Sequence, residues 1–301
     1  MKISVVISTF NRADSLSRTL LSVVKFADEI IVVDNESTDK TAEIAKRFHA
    51  KIFRRPNNLM LNVNKNYGFS KATGTWILCL DDDEEVPPEL AKEILSVVDS
   101  SSAAGFWIPR KNIIFGRWIR HGIWWPDQQL RLFRRGAGRY AEKHVHEYVE
   151  VTGLTETLTN AYVHHNYDSV SQYLNKMQHI YTENEMQKYT AAGYRISWRD
   201  AIRFPLSDFM KLFFAQNGYR DGLHGLVLAM LQAFYSFIIF IKLWEKEKFR
   251  EIDISHRQVV DELDNSGKEI SYWVLTTSMR ETNNPLVRWW YQLLRRLKRT
   301  S

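Results

Sequence analysis

The sequence contains a single cysteine, Cys79, among its 301 residues. One thiol cannot form an intramolecular disulfide, which excludes the disulfide-rich secreted proteins and favours a reducing compartment. The N-terminal stretch "MKISVVISTFNR" has one lysine and then a short apolar run interrupted by serine, too short for the apolar region of a signal peptide. We therefore expect a cytoplasmic protein.

Long uncharged segments are also scarce. Gly225–Ile241 carries no charged residue, which is near the lower limit of about 17 residues for crossing a bilayer, and Gln232 and Ser236 interrupt it. We find no internal repeat, no low-complexity tract and no second apolar segment of this kind. We expect a core helix or a monotopic anchor rather than a membrane span.

Charge is ordinary in amount but uneven in position. Hydrophobic residues make up 45% and charged residues 25%, values typical of a globular protein with a real core. The formal net charge is +6, and residues 286–301 contain arginine and lysine but no acid. A local basic patch of this kind indicates a surface partner.

The first hundred residues alternate between strand and helix patterns. Apolar, β-branched runs such as "ISVVIS" and "EIIVVD" are each followed by a segment with helical spacing of apolar residues. Strands that alternate with single helices predict an α/β fold with a mainly parallel, doubly wound sheet. From Phe106 to Gly153 the sequence turns aromatic, basic and rich in breakers, which favours short strands and loops. Helical spacing returns from Ser169.

Polar residues follow the strands of this predicted sheet, and ligands of such sheets bind beyond the carboxyl ends of the strands. We expect three groups to meet at one edge: Thr9 to Arg12, Asp34 to Glu36, and Asp81 to Glu84.

The acidic run "DDDEE" needs a positive partner, because carboxylates gathered at a strand end repel each other. Mg²⁺ or Mn²⁺ prefers such hard oxygen ligands and commonly shares them with substrate phosphates. Glu84, Glu85 and Glu89 have a simpler interpretation as acids at a helix N-terminus. Asp81 and Asp83 are the candidates for the metal.

Four ordered motifs resemble the family 2 glycosyltransferases of GT-A fold: "SVVISTFNRADSLSRTLLSV", "DEIIVVDNESTDKTAEIAK", "NKNYGFSKATGTWILCLDDDEEVPPEL" and "DQQLRLFRRG…VHE". The sequence is most similar to bacterial enzymes of lipopolysaccharide core and cell-surface glycan assembly. The resemblance implies a GT-A Rossmann-like sheet flanked by helices, a nucleotide-sugar donor, a divalent metal and inversion at the anomeric carbon. Asp82 departs from the usual Asp-x-Asp motif, where a small residue often separates the acids.

The resemblance also implies roles for individual residues. Thr9 and Asn11 match a loop that lines the nucleobase, Asp34 an acid that contacts base or ribose, and Asn66 an "N-x-G" element beside the donor. Asn11 and Asn66 have an alternative interpretation as turn or cap residues. The donor-binding candidates are Thr9, Phe10, Asn11, Arg12, Asp34, Asn66, Asp81, Asp82 and Arg131, and the metal candidates are Asp81, Asp83, His146 and His164.

The reaction implied by the resemblance needs a base for the acceptor hydroxyl. Asp127 matches the family's acidic residue ahead of its "QxxR" element and is the preferred candidate, with Glu147 in "VHE" as its rival. Arg131 and Arg134 follow and could approach phosphate. For both arginines a role as surface charges on a strand stays open.

The resemblance and the C-terminal composition together predict two domains, a transferase domain of residues 1–220 and a helical extension of residues 221–301. The expected acceptor is a lipid-linked or lipopolysaccharide-core saccharide. "RWWYQLLRRLKR" has the aromatic and basic composition of an interfacial helix. We expect peripheral binding to the inner face of the cytoplasmic membrane.

Two other function classes remain as alternatives at this point. A nucleotidyltransferase also uses a sheet, acids and metal, but the sequence lacks the glycine-rich phosphate loop that such enzymes often have near the N-terminus. A basic nucleic-acid-binding protein would explain the tail but leaves the acids at the strand ends unexplained. We therefore expect no nucleic-acid partner.

Overall fold

The computed structural model describes residues 2–57, 61–142, 148–178 and 182–300. The strands are β1 Ile3–Thr9, β2 Glu29–Asp34, β3 Lys51–Arg54, β4 Trp76–Asp81, β5 Glu84–Glu85, β6 Gly105–Ile114, β7 Arg117–Trp118, β8 Asp127–Arg134, β9 Gly138–Arg139, β10 Glu150–Val151, β11 Thr155–Thr157 and β12 Tyr162–Tyr167. The α-helices are α1 Ala13–Val23, α2 Thr41–Arg47, α3 Leu61–Lys71, α4 Pro88–Ser100, α5 Val170–Lys176, α6 Thr182–Ala191, α7 Asp200–Phe209, α8 Leu223–Lys246, α9 His256–Glu281 and α10 Pro285–Thr300.

The chain forms two compact units. The first comprises Met1–Trp118 and Trp124–Asp168, and the second comprises Ile119–Ile123 and Ser169–Ser301. The domain boundary predicted from the sequence, at residue 220, falls inside the second unit. The extent of the transferase domain over residues 1–220 stays a prediction.

The first unit is built on one mixed sheet in the order β3-β2-β1-β4-β8-β6-β12-β5. Neighbours β1, β2, β3 and β4 run parallel, as the strand and helix alternation predicts. Strand β8 is antiparallel to both of its neighbours, β4 and β6. The mainly parallel α/β sheet expected from the sequence is therefore confirmed, with β8 inserted against the direction of its neighbours and the two-residue strands β5 and β7 also paired antiparallel.

Alternate residues of β1 face opposite layers of the first unit. Ile3, Val5 and Ile7 belong to the core that includes apolar residues of α1 and α4. Val6 belongs to the other core, with Phe69 of α3. Every residue of β1 is buried, which is typical of a parallel strand covered by helices on both faces.

Helix α3 approaches the sheet closely at Gly68. A Cβ atom added there would lie 2.5 Å from a methyl group of Val6 and 3.0 Å from one of Val33. A side chain at position 68 would therefore push α3 away from β1 and β2. The glycine of "NKNYG" allows this close packing, which sets the position of the preceding residues of α3.

The segment from Phe106 to Gly153 contains longer strands than the sequence suggested. Strand β6 has 10 residues and β8 has 8, and they pair antiparallel along most of their length. Pro109 lies within β6, and the pairing shifts register between Phe106 and Trp107. Pairing between segments distant in the sequence outweighs the local breaker residues on which the expectation of short strands was based.

The second unit is helical. Ile196, Ile239 and Leu243 form a small core there, surrounded by partly buried aromatic residues of α6 and α8. Helix α9 begins with a capping box, in which Ser255 and Gln258 satisfy each other's backbone N–H groups. Helix α7 is tied to α9 by Arg203, whose guanidinium donates to both oxygens of Glu262 at 2.5 and 2.8 Å.

Candidate active site

The carboxyl ends of the parallel strands bring the predicted groups to one edge of the sheet. In the register of β1, Thr9 lies opposite Asp34 of β2, and Ser8 lies opposite Asp81 of β4. Thr9 and Asp34 are buried, and Asp81 is partly buried. The meeting of the three polar groups at this edge is therefore confirmed.

Asp81 is held by two cations. Its Oδ1 accepts from Lys65 Nζ at 2.5 Å, and its Oδ2 accepts from Arg131 Nη2 at 2.6 Å. Burial opposes ionisation of Asp81, but the positive charges of Arg131 and Lys65 together hold the pKa of its carboxyl well below the usual value. Asp81 is therefore ionised, and its charge is balanced by Lys65 and Arg131.

Arg131 connects Asp81 to a second buried acid. The same Nη2 lies 2.6 Å from Glu84 Oε1, and Glu84 is 0% exposed. Glu84 in turn accepts from the backbone N–H of Asp81 at 2.9 Å. Glu84 thus forms part of the buried charge network, whereas the sequence analysis interpreted it as an acid at a solvated helix N-terminus. That interpretation is wrong for Glu84, because helix α4 begins later, at Pro88.

Asp82 and Asp83 share a different cation. Arg12 Nη2 lies 2.9 Å from Asp83 Oδ2, and Arg12 Nε lies 3.4 Å from Asp82 Oδ1. On the other side of Asp83, His164 Nε2 lies 3.5 Å from Oδ1. Burial and the negative charge of Asp83 raise the pKa of Asp82 to about 7. Arg12 and His164, which the sequence proposed for donor and metal, therefore both contact Asp83.

Asp127 lies at the start of β8, and both of its carboxylate oxygens have side-chain partners. Its Oδ2 is 2.7 Å from Arg110 Nε and 2.5 Å from Arg110 Nη2, and Asn112 donates to the same oxygen at 3.1 Å. Its Oδ1 accepts from Gln129 Nε2 at 2.7 Å. Strong pairing with Arg110 fixes the orientation of this carboxylate.

Two other donor-binding candidates, Asn11 and Asp34, accept hydrogen bonds from the backbone of a nearby turn. Asn11 has a positive φ of 51°, and its Oδ1 accepts from the backbone N–H of Thr38 at 2.8 Å. Asp34 Oδ1 accepts from the backbone N–H of Ser37 at 3.0 Å. Both residues therefore shape the turn that follows β2, which agrees with the turn interpretation left open for Asn11.

Asn66 bonds to the segment that follows β9. Its side chain accepts from the backbone N–H of Tyr140 at 2.9 Å and donates to the carbonyl of Tyr140 at 2.9 Å. It also donates to Glu142 at 2.6 Å. Phe10, the last of the predicted donor residues, is 40% exposed. His146 and Glu147 lie outside the described residues.

Three residues of the site were not predicted from the sequence: Lys65, Arg110 and Asn112. Lys65 directly precedes Asn66 in "NKNYG". Its place next to a predicted donor-binding residue is the feature of the sequence that could have identified it. Arg110 and Asn112 are two residues apart on β6 and so share a face of the strand. Nothing in the sequence pairs that face with Asp127, because β6 and β8 meet only through the fold.

Arg134, in contrast, lies away from the acids. It is paired with Trp76, the first residue of β4, whereas Asp81 is the last. Its guanidinium lies 4.5 Å from the ring of Trp76 and donates to the carbonyls of Ser101 and Ala103. These contacts hold the far end of the sheet together.

The acid cluster suits a divalent metal in its chemistry. The four carboxylates of residues 81–84 contact three cations, Arg12, Lys65 and Arg131, and burial raises the pKa of both Asp82 and Glu84 to about 7. Within the described part of the chain, no three His, Cys, Asp or Glu side chains are arranged to hold an ion alone. A divalent cation would favour the ionised forms of these acids, and their oxygens are hard ligands of the kind that Mg²⁺ and Mn²⁺ prefer.

Comparison with known proteins identifies the family. The profile of glycosyl transferase family 2 matches residues 4–153. A glycosyltransferase of Rickettsia bellii is 30% identical over 256 residues, which span 81% of this chain and 86% of the relative. The chain belongs to glycosyl transferase family 2. Membership of this family supports glycosyl transfer over the nucleotidyltransferase alternative.

Other relatives of this family 2 glycosyltransferase differ more in sequence. The lipopolysaccharide core biosynthesis glycosyltransferase LpsC of Rhizobium meliloti is 24% identical over 261 residues, covering 83% of this chain and 94% of LpsC. Among solved structures, S. aureus TarS residues 1–349 in complex with UDP-GlcNAc has a TM-score of 0.46 and 15% identity, covering 85% of this chain and 95% of that TarS fragment.

Proposed function

We propose that this glycosyltransferase moves a sugar, with inversion, from a UDP-sugar to a hydroxyl of a lipid-linked or lipopolysaccharide-core saccharide. One observation carries the proposal. A continuous chain of side-chain contacts runs from Asp83 through His164 and Asn112 to Asp127. It joins acids that suit a metal-bound diphosphate to a separate carboxylate that suits a base.

We infer inversion because the proposed base is a different carboxylate from the acids proposed to hold the metal-bound diphosphate. A carboxylate that takes the proton of the acceptor hydroxyl allows direct attack on the anomeric carbon, opposite to the leaving diphosphate. Asp127 is the proposed base, and Glu147 remains the rival from the sequence. Because Asp127 is fixed by Arg110 and Gln129, it needs little reorganisation to receive a proton.

Asp83 and His164 are the residues we propose for Mg²⁺ or Mn²⁺, and Asp81 is better suited to the donor's polar groups. The ion would neutralise charge that develops on the leaving diphosphate. Arg12 contacts Asp82 and Asp83 and is placed to offset charge on the same group. Thr9, Asp34 and Asn66 are proposed to form the nucleoside side of the site, together with Phe10 and Asn11.

The donor proposal predicts nucleotide-specific, metal-dependent stabilisation. We expect UDP with Mn²⁺ to raise the melting temperature of the purified protein, because a ligand that binds only the native state stabilises it by mass action. The measurement is a thermal-shift screen of UDP, GDP, CDP and dTDP, each with and without Mn²⁺. In Asp83→Ala the UDP shift should vanish.

The matched control for Asp83→Ala is Asp99→Ala, which removes an exposed acid paired with Lys2, the residue before β1, whereas Asp81 lies opposite the end of β1. This control should keep the full UDP shift. Stabilisation by GDP or another nucleotide in place of UDP would overturn the UDP assignment. Absence of any shift in the wild type would overturn the donor site itself.

Exposed apolar side chains on the second, helical unit support the proposed lipid-linked acceptor. Helix α8 is the one helix in the described ranges that is long and apolar enough to cross a membrane, and only 28% of the residues in its most apolar stretch are buried. Its exposed residues recur at helical spacing: Leu223, Leu226, Met230, Phe234 and Phe237. An exposed apolar stripe of this kind is typical of a surface that meets lipid or a partner protein.

Helix α10 adds the features of an interfacial helix. Leu286, Trp289, Trp290 and Leu297 are exposed there, between 52% and 76%. The basic residues of this helix include Arg288, Arg295 and Arg296, and such side chains suit anionic headgroups. We therefore propose peripheral attachment to the inner face of the cytoplasmic membrane, where a lipid-linked acceptor is available.

Removal of the two tryptophans should weaken membrane binding. We expect Trp289→Ser/Trp290→Ser to lower the partition coefficient onto phosphatidylglycerol-containing vesicles about tenfold or more, since a loss of about 1.4 kcal/mol already gives a factor of ten. Co-sedimentation measures the effect. High salt or alkaline washing should release much of the wild-type protein from membranes.

The control for the tryptophans is Tyr148→Ser/Leu154→Ser, which removes two exposed apolar side chains of the sheet unit, 56% and 64% exposed. Vesicle binding by this variant should match the wild type. Retention of the wild type on membranes under both high salt and alkali would contradict peripheral attachment and favour a spanning α8.

A further inference from the structure

Asn112 lies in β6 and is fully buried, and it uses both ends of its side-chain amide. Its Nδ2 donates to Asp127 Oδ2 at 3.1 Å and to the backbone carbonyl of Trp124 at 3.0 Å. Its Oδ1 lies 2.7 Å from His164 Nδ1. Because the amide oxygen can only accept, the Nδ1 of His164 is the donor in this bond.

The two oxygens of Asp127 are consequently unequal. Oδ2 receives two N–H groups, from Arg110 Nε and Asn112 Nδ2, and it also lies 2.5 Å from Arg110 Nη2 in the ion pair. Oδ1 receives one, from Gln129. Oδ1 therefore keeps the larger capacity to accept a further proton, and the bonds to Oδ2 determine which way Oδ1 points.

We infer that Asn112 is a positioning residue that orients Asp127 for proton transfer and links it to the donor side through His164. The inference deepens the proposed function and rests on it. In the transfer step the acceptor oxygen bonds to the anomeric carbon as its proton moves to Asp127 Oδ1. The bond from that carbon to the diphosphate breaks, and its electron pair leaves with the nucleotide.

The fold does not depend on the side chain of Asn112 alone. Without its side chain, Asp127 keeps the ion pair with Arg110, and the backbone of β6 keeps its pairing with β8 and β12. The fold therefore has other support at this point. The variant loses the N–H group that orients the carboxylate of Asp127. It also loses the hydrogen-bonded connection between Asp127 and His164.

The test compares Asn112→Ala with Asn160→Ala. Asn160 makes the same kind of bond, from Nδ2 to Glu93 Oε2 at 2.9 Å, and takes no part in the site. For each purified variant we would measure the melting temperature, the shift caused by UDP with Mn²⁺, and kcat and KM. Turnover is followed as UDP release from UDP-hexoses, with purified lipopolysaccharide as acceptor.

We expect Asn112→Ala to lower kcat about 10- to 100-fold, to change KM for the UDP-hexose less than twofold and to keep the UDP shift. Asn160→Ala should match the wild type in kcat and KM. Asn112→Asp has the same shape but places a carboxylate against Asp127, so it should lose at least as much kcat. It replaces Asn112→Ala if that variant does not fold.

The outcomes separate the inference from the proposed function. If the wild type gives neither a UDP shift nor UDP release, the proposed function fails and the inference falls with it. If the wild type turns over and both Asn112 variants keep kcat within twofold, the inference alone is overturned. A parallel fall of kcat, UDP shift and melting temperature would assign Asn112 a structural role only, which also overturns it.

Discussion

Replacing Arg131 by methionine should lower the free energy of unfolding by about 3–5 kcal/mol, the usual cost of breaking a buried ion pair on one side. Arg131 is 4% exposed and contacts two acids, Asp81 and Glu84. Asp81 keeps Lys65 in the variant, but the fully buried Glu84 loses the one cation that lies within hydrogen-bond distance of it among the described residues. Urea or thermal unfolding measures the change.

Two companion variants make this result specific. Arg47→Met removes an exposed ion pair with Glu43 and should change stability by at most about 0.5 kcal/mol. Arg131→Met combined with Glu84→Gln should recover part of the loss, because the unpaired buried charge is then gone. A change below about 1 kcal/mol in Arg131→Met would contradict the structural role given to this network.

Replacing Asp127 by asparagine should lower kcat about 10²- to 10⁴-fold, the contribution typical of a positioned general base. The amide has the shape of the carboxylate but cannot take the acceptor's proton. We expect the UDP shift with Mn²⁺ to persist, since Asp127 contacts Arg110, Asn112 and Gln129 rather than the acids of residues 81–84. Steady-state kinetics and the thermal shift on the same preparation test both statements.

Glu147→Gln is the matched comparison, because Glu147 is the rival base from the sequence. It should keep at least a tenth of the wild-type kcat. Near-normal turnover in Asp127→Asn together with a large loss in Glu147→Gln would reverse the assignment. Loss of the UDP shift in Asp127→Asn would indicate a role in donor binding instead of proton transfer.

Much of the sheet could be predicted from local pattern. β-branched runs followed by helical spacing identified the alternation that became β1 to β4, and the rule for parallel sheets brought Thr9, Asp34 and Asp81 to one edge. These features depend on residues close in sequence. The pairing of β6 with β8, and the insertion of β8 against the direction of its neighbours, depend on contacts between distant segments and were not predicted.

The candidate site divides in the same way. The strand-end pattern pointed to Arg12 and Asp83, and the resemblance to the family pointed to His164 and Asp127. Neither could show that Arg12 contacts Asp83, or that Asn112 lies between His164 and Asp127, because these partners come from different strands and loops. Glu84 was misjudged since acids before a helix are commonly solvated, and only the fold buries this one beside Arg131.

The sequence by itself determined the family, the order of strands and helices in the first hundred residues, and the types of residue that meet at the strand ends. These follow from periodicity and from motifs of fixed spacing. The tertiary structure decided which cation pairs with each carboxylate and which oxygen of Asp127 remains open to a proton. Charge pairing and hydrogen bonding act through space over a few ångströms, so they depend on which distant segments the folded sheet makes neighbours.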